Sequence, residues 1–393
     1  MKMAHYPYLI LGGGMAADAA VRGIRELDAV RPIGLIGEET DPPYARPPLS
    51  KGLWKGDPLE SVWRNTAEHG VDLLLGRRAT ALDLHGKKVT DHDGAEYTFE
   101  KLLIATGGTP RHLPFGNEET IYFRTLADFR RLRAMAEQGK SFAVIGGGFI
   151  GSEVAAALAI QGSKVTLLFP EDGIGARLFP ADLARFLVGY YAEHGVETLQ
   201  GERVTGLSRS GFQQVLETES GRRVTVDAVV AGIGIVPNTD LAKQAGLEVE
   251  DGIVVDTGLR TSHPDVFAAG DVARFDAPSL GRMRVEHEDN AVTMGRAAGR
   301  AMAGDPAPYS HLPYFYSDLF ELGYEAVGQM DPRREMVADW HEPFRKGVVY
   351  YLRDRRVRGI LLWNTWDQVD AARSLIAEPG PFGSGELIGR LPA

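Results

Sequence analysis

The chain has 393 residues, a formal net charge of −10, a hydrophobic fraction of 44% and no cysteine. That length supports two or three well-packed domains, the composition is that of a folded globular protein, and the acidic balance speaks against nucleic acid as a general partner. The missing cysteines exclude disulfides, thiolate metal sites, cysteine-ligated iron–sulfur clusters and any redox-active thiol. No apolar run reaches the roughly 18 residues that a membrane span needs, and Tyr8–Leu11 is too short for a signal-peptide core and runs straight into a glycine loop, so a cytoplasmic location is expected.

Tyr8–Leu11 reads as a short buried strand, followed by Gly12-Gly13-Gly14-Met15-Ala16-Ala17 and a helix to about Ala29. This is the G-x-G-x-x-G/A pattern: Gly12 allows the tight turn, Gly14 lets a pyrophosphate reach the backbone, and Ala17 keeps helix and strand close. The N–H groups and positive dipole end of the helix then hold the phosphates. The pattern recurs. Phe142–Ile145 is the second strand, Gly146, Gly148 and Gly151 are its glycines, and the helix opens with Phe149 and Ile150 and runs to Ile160. Each copy is followed by another strand and an acid, Glu38 after Ile33–Ile36 and Glu171 after Val165–Phe169, at spacings that agree within one residue. Either glutamate alone could be an ordinary polar residue at a strand end. As a matching pair they predict two bound dinucleotides, each acid taking the hydroxyls of a ribose.

Between Glu38 and Trp54 comes Asp-Pro-Pro-Tyr-Ala-Arg-Pro-Pro-Leu-Ser-Lys, whose four prolines stiffen the backbone, with a short helix expected at Leu49–Lys51. It is either a packing loop or a cradle that fixes Arg46 and Lys51. Tyr-Ala-Arg-Pro-Pro-Leu-Ser-Lys, taken with both glycine loops, resembles the FAD-dependent NADH oxidoreductases of the ferredoxin-reductase and apoptosis-inducing-factor group. The resemblance implies FAD in the first fold, Arg46 near its pyrophosphate, and Lys51 near the flavin N5 edge. A cation about 4 Å from a developing anion is worth about 4 kcal/mol at an effective dielectric near 20.

Val71–Leu75 and Ala81–Leu84 read as strands, and Lys87–Thr90 with Glu96–Phe99 as a hairpin around Asp93-Gly94. The resemblance places the Ala79 backbone at the adenine. It also closes Ala105-Thr106-Gly107 over the FAD pyrophosphate after the strand Leu102–Ile104, with Arg111 among the FAD contacts. Thr125–Gln138 reads as an amphipathic helix with Leu126, Phe129, Leu132 and Met135 on one face. Glu153, in the second loop's helix, reads as a surface residue from pattern alone, whereas the resemblance sets it beside the flavin, paired with Lys51. Glu171 favours NADH, because a 2′-phosphate would meet a like charge, and Arg177 could soften that preference. A helix at Pro180–His194, a strand at Val196–Leu199, hairpins at Ser210-Gly211 and Ser220-Gly221, and the strand Ala228–Ala231 lead to Gly232, which closes the NAD fold.

After Pro237-Asn238 the chain returns to the first fold. Val266–Ala269 runs into Gly270-Asp271, which is either a common turn or, by resemblance, the aspartate on the FAD ribityl chain. Arg284 to Asn290 precede a helix of small residues, Ala291–Ala303, and Glu286 and His287 are candidates for the flavin pyrimidine. One local run of acids and a histidine is weak ground for a metal, and none is expected. From Pro313 aromatics and alternating strands take over: Phe315–Asp318, Gly323–Gly328, Gly347–Leu352, Val357–Leu362, then a helix from about Trp366 to Ile376. This tail is closer to the apoptosis-inducing-factor branch, with two departures. Tyr316 stands where that branch has a tryptophan against the flavin, and its long insertion is reduced to a link from about Asp331 to Lys346. No mitochondrial targeting is expected either, so no role in cell death or DNA binding is expected to carry over.

The expected fold is α/β: two Rossmann-like, doubly wound dinucleotide-binding domains in a glutathione-reductase-like arrangement, plus a small α+β C-terminal domain. The FAD domain takes 1–113 and 236–312, the NAD domain 114–235, and the C-terminal interface domain 313–393. The expected activity is hydride transfer from NADH to FAD and electron delivery to an external acceptor, with Lys51 and Glu153 as the catalytic pair. The acceptor is left open among a ferredoxin-like protein, a quinone and oxygen. The chain could be a reductase component for an oxygenase or cytochrome system, or an NADH-responsive sensor of low turnover, and a homodimer is compatible with either.

Overall fold

A computed structural model describes residues 3–116 and 118–392. The chain divides into two compact units: residues 1–46, 60–109 and 236–313 form one, and 47–59, 110–235 and 314–393 the other. The prediction is met in kind, a mixed α/β fold with parallel sheets and a small C-terminal sheet.

The first unit is built on a seven-stranded sheet. Ala4–Leu11 lies between Ile33–Gly37 and Glu96–Ile104, parallel to both, and Asp72–Leu75 extends the parallel run beyond Ile33–Gly37. Glu96–Ile104 is shared on its far side. Its start pairs with the hairpin strand Lys88–Asp91, its end with Val266–Ala268 from much later in the chain. Apolar residues fill the parallel strands because both faces are covered: Leu9, Ile10, Leu35 and Leu103 are fully buried.

One cover is the pair of helices Met15–Arg25 and Glu288–Met302. The small residues of the second helix are needed for this contact. A Cβ on Gly295 would sit 2.3 Å from the Ala16 carbonyl oxygen, and one on Gly299 2.1 Å from that of Ala20.

The second unit carries a five-stranded parallel sheet in the order Val196–Gln200, Val165–Phe169, Phe142–Ile145, Ala228–Ala231, Ile121–Tyr122. A three-stranded antiparallel meander, Val204–Ser210, Gln213–Thr218 and Arg223–Val226, follows the predicted hairpins. The C-terminal sheet is antiparallel, in the order Tyr314–Leu319, Leu322–Gly328, Arg356–Trp363, Lys346–Arg353, Glu335–Glu342.

Several boundaries differ from expectation. The first helix stops at Arg25 instead of about Ala29, because the Asp28 carboxylate takes the N–H groups of Val30 and Arg31 and turns the chain. The helix expected from Ala291 begins at Glu288, with Glu288 and Asp289 favourably placed at its positive end. The last long helix begins at Val369 rather than Trp366, since Asn364 and Asp367 have left-handed φ of 46° and 63°. The segment read as a link from Asp331 to Lys346 contains the strand Glu335–Glu342. Among the described residues it pairs with Lys346–Arg353 alone, and it is mostly open to solvent, so it lacks the alternation that betrays a strand.

Candidate functional site

The two glycine loops have the same construction. Gly12 has φ of +121° and Gly146 +115°, and each donates its N–H to the strand that follows, to Ile36 and Leu168 at 2.8 Å. Only glycine fits. A Cβ on Gly12 would lie 2.1 Å from the Ala105 carbonyl oxygen, and one on Gly146 2.5 Å from that of Gly232. Ala105 and Gly232 therefore play corresponding parts, each closing its loop from a neighbouring strand end.

The middle glycines behave oppositely. A Cβ on Gly14 or Gly148 would meet nothing within 4 Å. Both are the N-caps of their helices, and neither helix end has a side-chain cap. Open space above uncapped N–H groups is what a pyrophosphate requires, so the residues present fit FAD and NAD. Met15, Ala16, Phe149 and Ile150 form the first turns of these helices.

In the first unit, Thr106 and Gly107 are clamped by a residue the sequence reading passed over. Asn238 donates its side-chain amide to the Thr106 carbonyl and its backbone N–H to Gly107, both at 2.9 Å, and accepts the Thr106 hydroxyl on its own carbonyl at 2.9 Å. Arg46 donates to Glu39 at 2.5 Å and to the Tyr44 hydroxyl at 3.0 Å. Burial works against its charge, but Tyr44, Glu39 and Asp271 hold its pKa above the ordinary guanidinium value. Arg46, Asp271 and His287 thus share one electrostatic neighbourhood. Desolvation pushes His287 down to about 4, against the pull of Asp271 and Asp289.

The other FAD candidates are more dispersed. Glu38 is exposed, 3.8 Å from Arg78. Glu286 pairs with Arg284 at 2.6 Å, and Asp289 with His311 at 2.5 Å. Ala79 opens the outermost strand of the large sheet. Arg111 lies in the second unit, its N–H donating to the Gly234 carbonyl at 2.9 Å.

In the second unit, Lys51 and Glu153 meet across about a hundred residues of sequence. Lys51 Nζ lies 2.7 Å from Glu153 Oε1, and Glu153 is 3% exposed, so the surface reading is overturned. Two hydroxyls complete the carboxylate: Ser317 donates to Oε1 and Ser50 to Oε2, each at 2.5 Å. A buried anion with a cation and two further donors is fully satisfied. Tyr316 contributes the face of its ring, with Lys51 Nζ 5.1 Å from the centroid.

The loop bearing Lys51 comprises two 3-10 turns, Pro47–Ser50 and Gly52–Trp54, with Lys51 between them. It is fastened to the second loop's helix by Gln161, whose amide donates to the Trp54 carbonyl at 2.7 Å. Phe149 stands edge-on to Phe315 at 5.1 Å, and Glu171 is tied to Arg177 at 2.6 Å. Ser317 could have been suspected, because it shares the inward face of its strand with Phe315 and Leu319. Nothing in the sequence marked Ser50 or Glu39 for their partners.

Among the described residues no helix is long and apolar enough to cross a membrane. The model of pyridine nucleotide-disulphide oxidoreductases matches residues 6–295, and that of the C-terminal region of mitochondrion-associated apoptosis-inducing factor matches 335–378. The putative apoptosis-inducing factor 1 of Drosophila melanogaster is 32% identical over 98% of this chain, which spans 65% of that protein's length. Putidaredoxin reductase CamA of Pseudomonas putida is 31% identical over 95% of this chain and 92% of its own. Among solved structures, the covalent putidaredoxin reductase–putidaredoxin complex matches with a TM-score of 0.90 and 31% identity, over 97% of this chain and 95% of that one. Since the family model begins before the first glycine loop and ends beyond His287, the chain belongs to the pyridine nucleotide-disulphide oxidoreductase family.

Proposed function

We propose that this FAD-dependent NAD(P)H oxidoreductase takes electrons from NADH and delivers them to a ferredoxin-type iron–sulfur protein. The observation that carries the reading is the Lys51–Glu153 pair, whose buried Glu153 lies on the very helix whose first turn would form the second dinucleotide cradle. FAD, when bound, supplies a ring that accepts hydride and releases electrons singly. We assign FAD to 1–113 with 236–312, NAD to 114–235, and an interface role to 313–393.

In this assignment the chain's residues hold, orient and balance charge. Gly12, Gly14 and Ala105 shape the FAD pyrophosphate cradle, Arg46 neutralises it, and Glu38 takes the adenosine ribose. Gly146, Gly148 and Gly232 do the same for NAD, with Glu171 on its ribose. Lys51 places positive charge at the hydride-accepting ring, and Glu153 with Ser50 and Ser317 fixes its position. Without cysteine, electrons leave directly to an external acceptor. A cytoplasmic site, where NADH is supplied, suits this role.

A second reading is favoured by the match of residues 335–378 to the apoptosis-inducing-factor C-terminal region: a sensor whose reduced state persists. One experiment separates the two. The flavin-loaded protein is reduced anaerobically with NADH, then offered an acidic [2Fe–2S] ferredoxin or air, with absorbance and light scattering followed together. Fast ferredoxin reduction at constant mass supports the reductase. Slow reoxidation by both acceptors with a change in mass supports the sensor, and failure of NADH to bleach the flavin would sink both.

A further inference from the structure

We propose that the arginine-rich end of the C-terminal sheet is a binding site for a multiply charged phosphate-type anion, gripped by Arg334, Arg353, Arg356 and Arg358. The run Arg353-Asp354-Arg355-Arg356-Val357-Arg358 concentrates positive charge in a chain whose net charge is −10. Arg353 and Arg356 are direct cross-strand partners at the mouth of a hairpin, and Arg358 follows where the register shifts by a bulge. Like charges opposite one another destabilise a strand pair, and bulges re-aim side chains toward a site.

The patch is held at an electrostatic cost. Burial, then Arg356, Arg353 and Arg334, lowers the pKa of Arg358, with Asp354 as a lesser counterweight. Among the described residues neither Arg356 nor Arg358 has an acid partner; Asp354 approaches Arg353 at 3.6 Å, and Asp331 serves Arg333 and Arg334. Arg334 Nη1, Arg356 Nε and Arg358 Nε are closed off from solvent without an acceptor.

The backbone adds an independent sign. The hairpin turns through Asp354 and Arg355 with φ of 52° and 55°. Asparagine–glycine is the ordinary choice there, and an arginine in that region is strained. Arg355 is also pinned, its carbonyl accepting the Phe382 N–H at 2.7 Å. A rigid turn, a bulge and several guanidinium groups in forced proximity are preorganised for a ligand with several anionic oxygens, which arginine forks bind in pairs.

The test uses flavin-loaded protein saturated with NAD⁺, so that the dinucleotide cradles are filled. Pyrophosphate, titrated calorimetrically in 150 mM NaCl, should bind saturably, and Arg356→Gln/Arg358→Gln should weaken it at least tenfold. The double variant should still pass electrons from NADH to a small dye, which shows that it is folded. In low-salt buffer Arg358→Gln should melt above the parent chain, and pyrophosphate should raise the melting temperature of the parent more. Tighter arginine-dependent binding of ADP than of pyrophosphate would identify a nucleotide as the source of the phosphate; the reverse order would identify a free phosphate. No saturable binding, equal affinity in the double variant, or an equal melting shift from NaCl at matched ionic strength overturns the proposal. So does a raised KM for ferredoxin in the double variant without pyrophosphate binding, which would make the patch a protein-docking surface.

Discussion

The helices behind the two glycine loops each bury one carboxylate, and they satisfy it in different ways. Asp18, in the first, is fully buried and accepts from Arg22 at 3.0 Å, Arg64 at 2.7 Å and Thr66 at 2.7 Å. Glu153, in the second, has one lysine and two serine hydroxyls. Two arginines lock Asp18 into a structural knot that joins the helix to the segment at Arg64–Thr66. One lysine on Glu153 makes a balanced pair on the helix that follows the second glycine loop. Burial of an acid is common to both copies; the number and kind of its partners differ, and it is the lysine-paired Glu153 to which the proposed function gives a chemical role.

The comparison breaks most visibly in stability. Asp18→Asn leaves two guanidinium groups without their carboxylate and should cost about 3–5 kcal/mol in chemical denaturation, with NADH-driven flavin reduction intact in the remaining folded protein. Burial by itself would raise the Asp18 pKa, but Arg22, Thr66 and Arg64 lower it below the usual 3.8. The stability it supplies is therefore present above pH 3.8 and fades as the pH falls through the lower folded value, and Asp18→Asn should remove that acid limb. An unchanged stability would mean that the knot holds nothing together.

The third loop positions give the next largest effect. A Cβ on Gly151 would lie 1.7 Å from the Gly146 carbonyl oxygen, whereas the first copy carries Ala17 without such a clash. Gly151→Ala should weaken NADH binding by about 100-fold, roughly 2.7 kcal/mol, without loss of FAD. Ala17→Gly should leave FAD content and NADH affinity nearly untouched. Equal effects on both cofactors would show that the loops do not act separately.

Lys51→Met and Glu153→Gln should each slow NADH-driven reduction about tenfold or more. Combined, they should fall short of additivity by about 1–2 kcal/mol, because each alone strands the other's charge. Stopped-flow rates for the four proteins measure this directly, and strict additivity would contradict the 2.7 Å pair. The smallest effect belongs to Glu171. If it holds the NAD ribose, Glu171→Ala should narrow an NADH-over-NADPH preference by about tenfold, or about 1.4 kcal/mol. The Arg177 pair makes Arg177→Ala the sharper control, since freeing the carboxylate should widen the preference.

The glycine loops were legible in the sequence, because their requirements are local and steric. A φ near +120° at Gly12 and Gly146 admits little but glycine, and the strand, turn and helix that frame each loop are adjacent in the chain. The α/β class and most hairpins were legible for the same reason, through periodicity and turn residues. Partnership was not legible in the residues themselves, and the Lys51–Glu153 pair was expected only through the family resemblance. Asn238 at Thr106, Asp18 with Arg64, and Ser50 and Ser317 on Glu153 each depend on where a distant strand or loop comes to rest. Glu153 shows why. Its residue type and helical position allow either a solvated surface charge or a buried ionic site, and only packing the strand Tyr314–Leu319 and the 47–59 loop around it excludes water and decides between them.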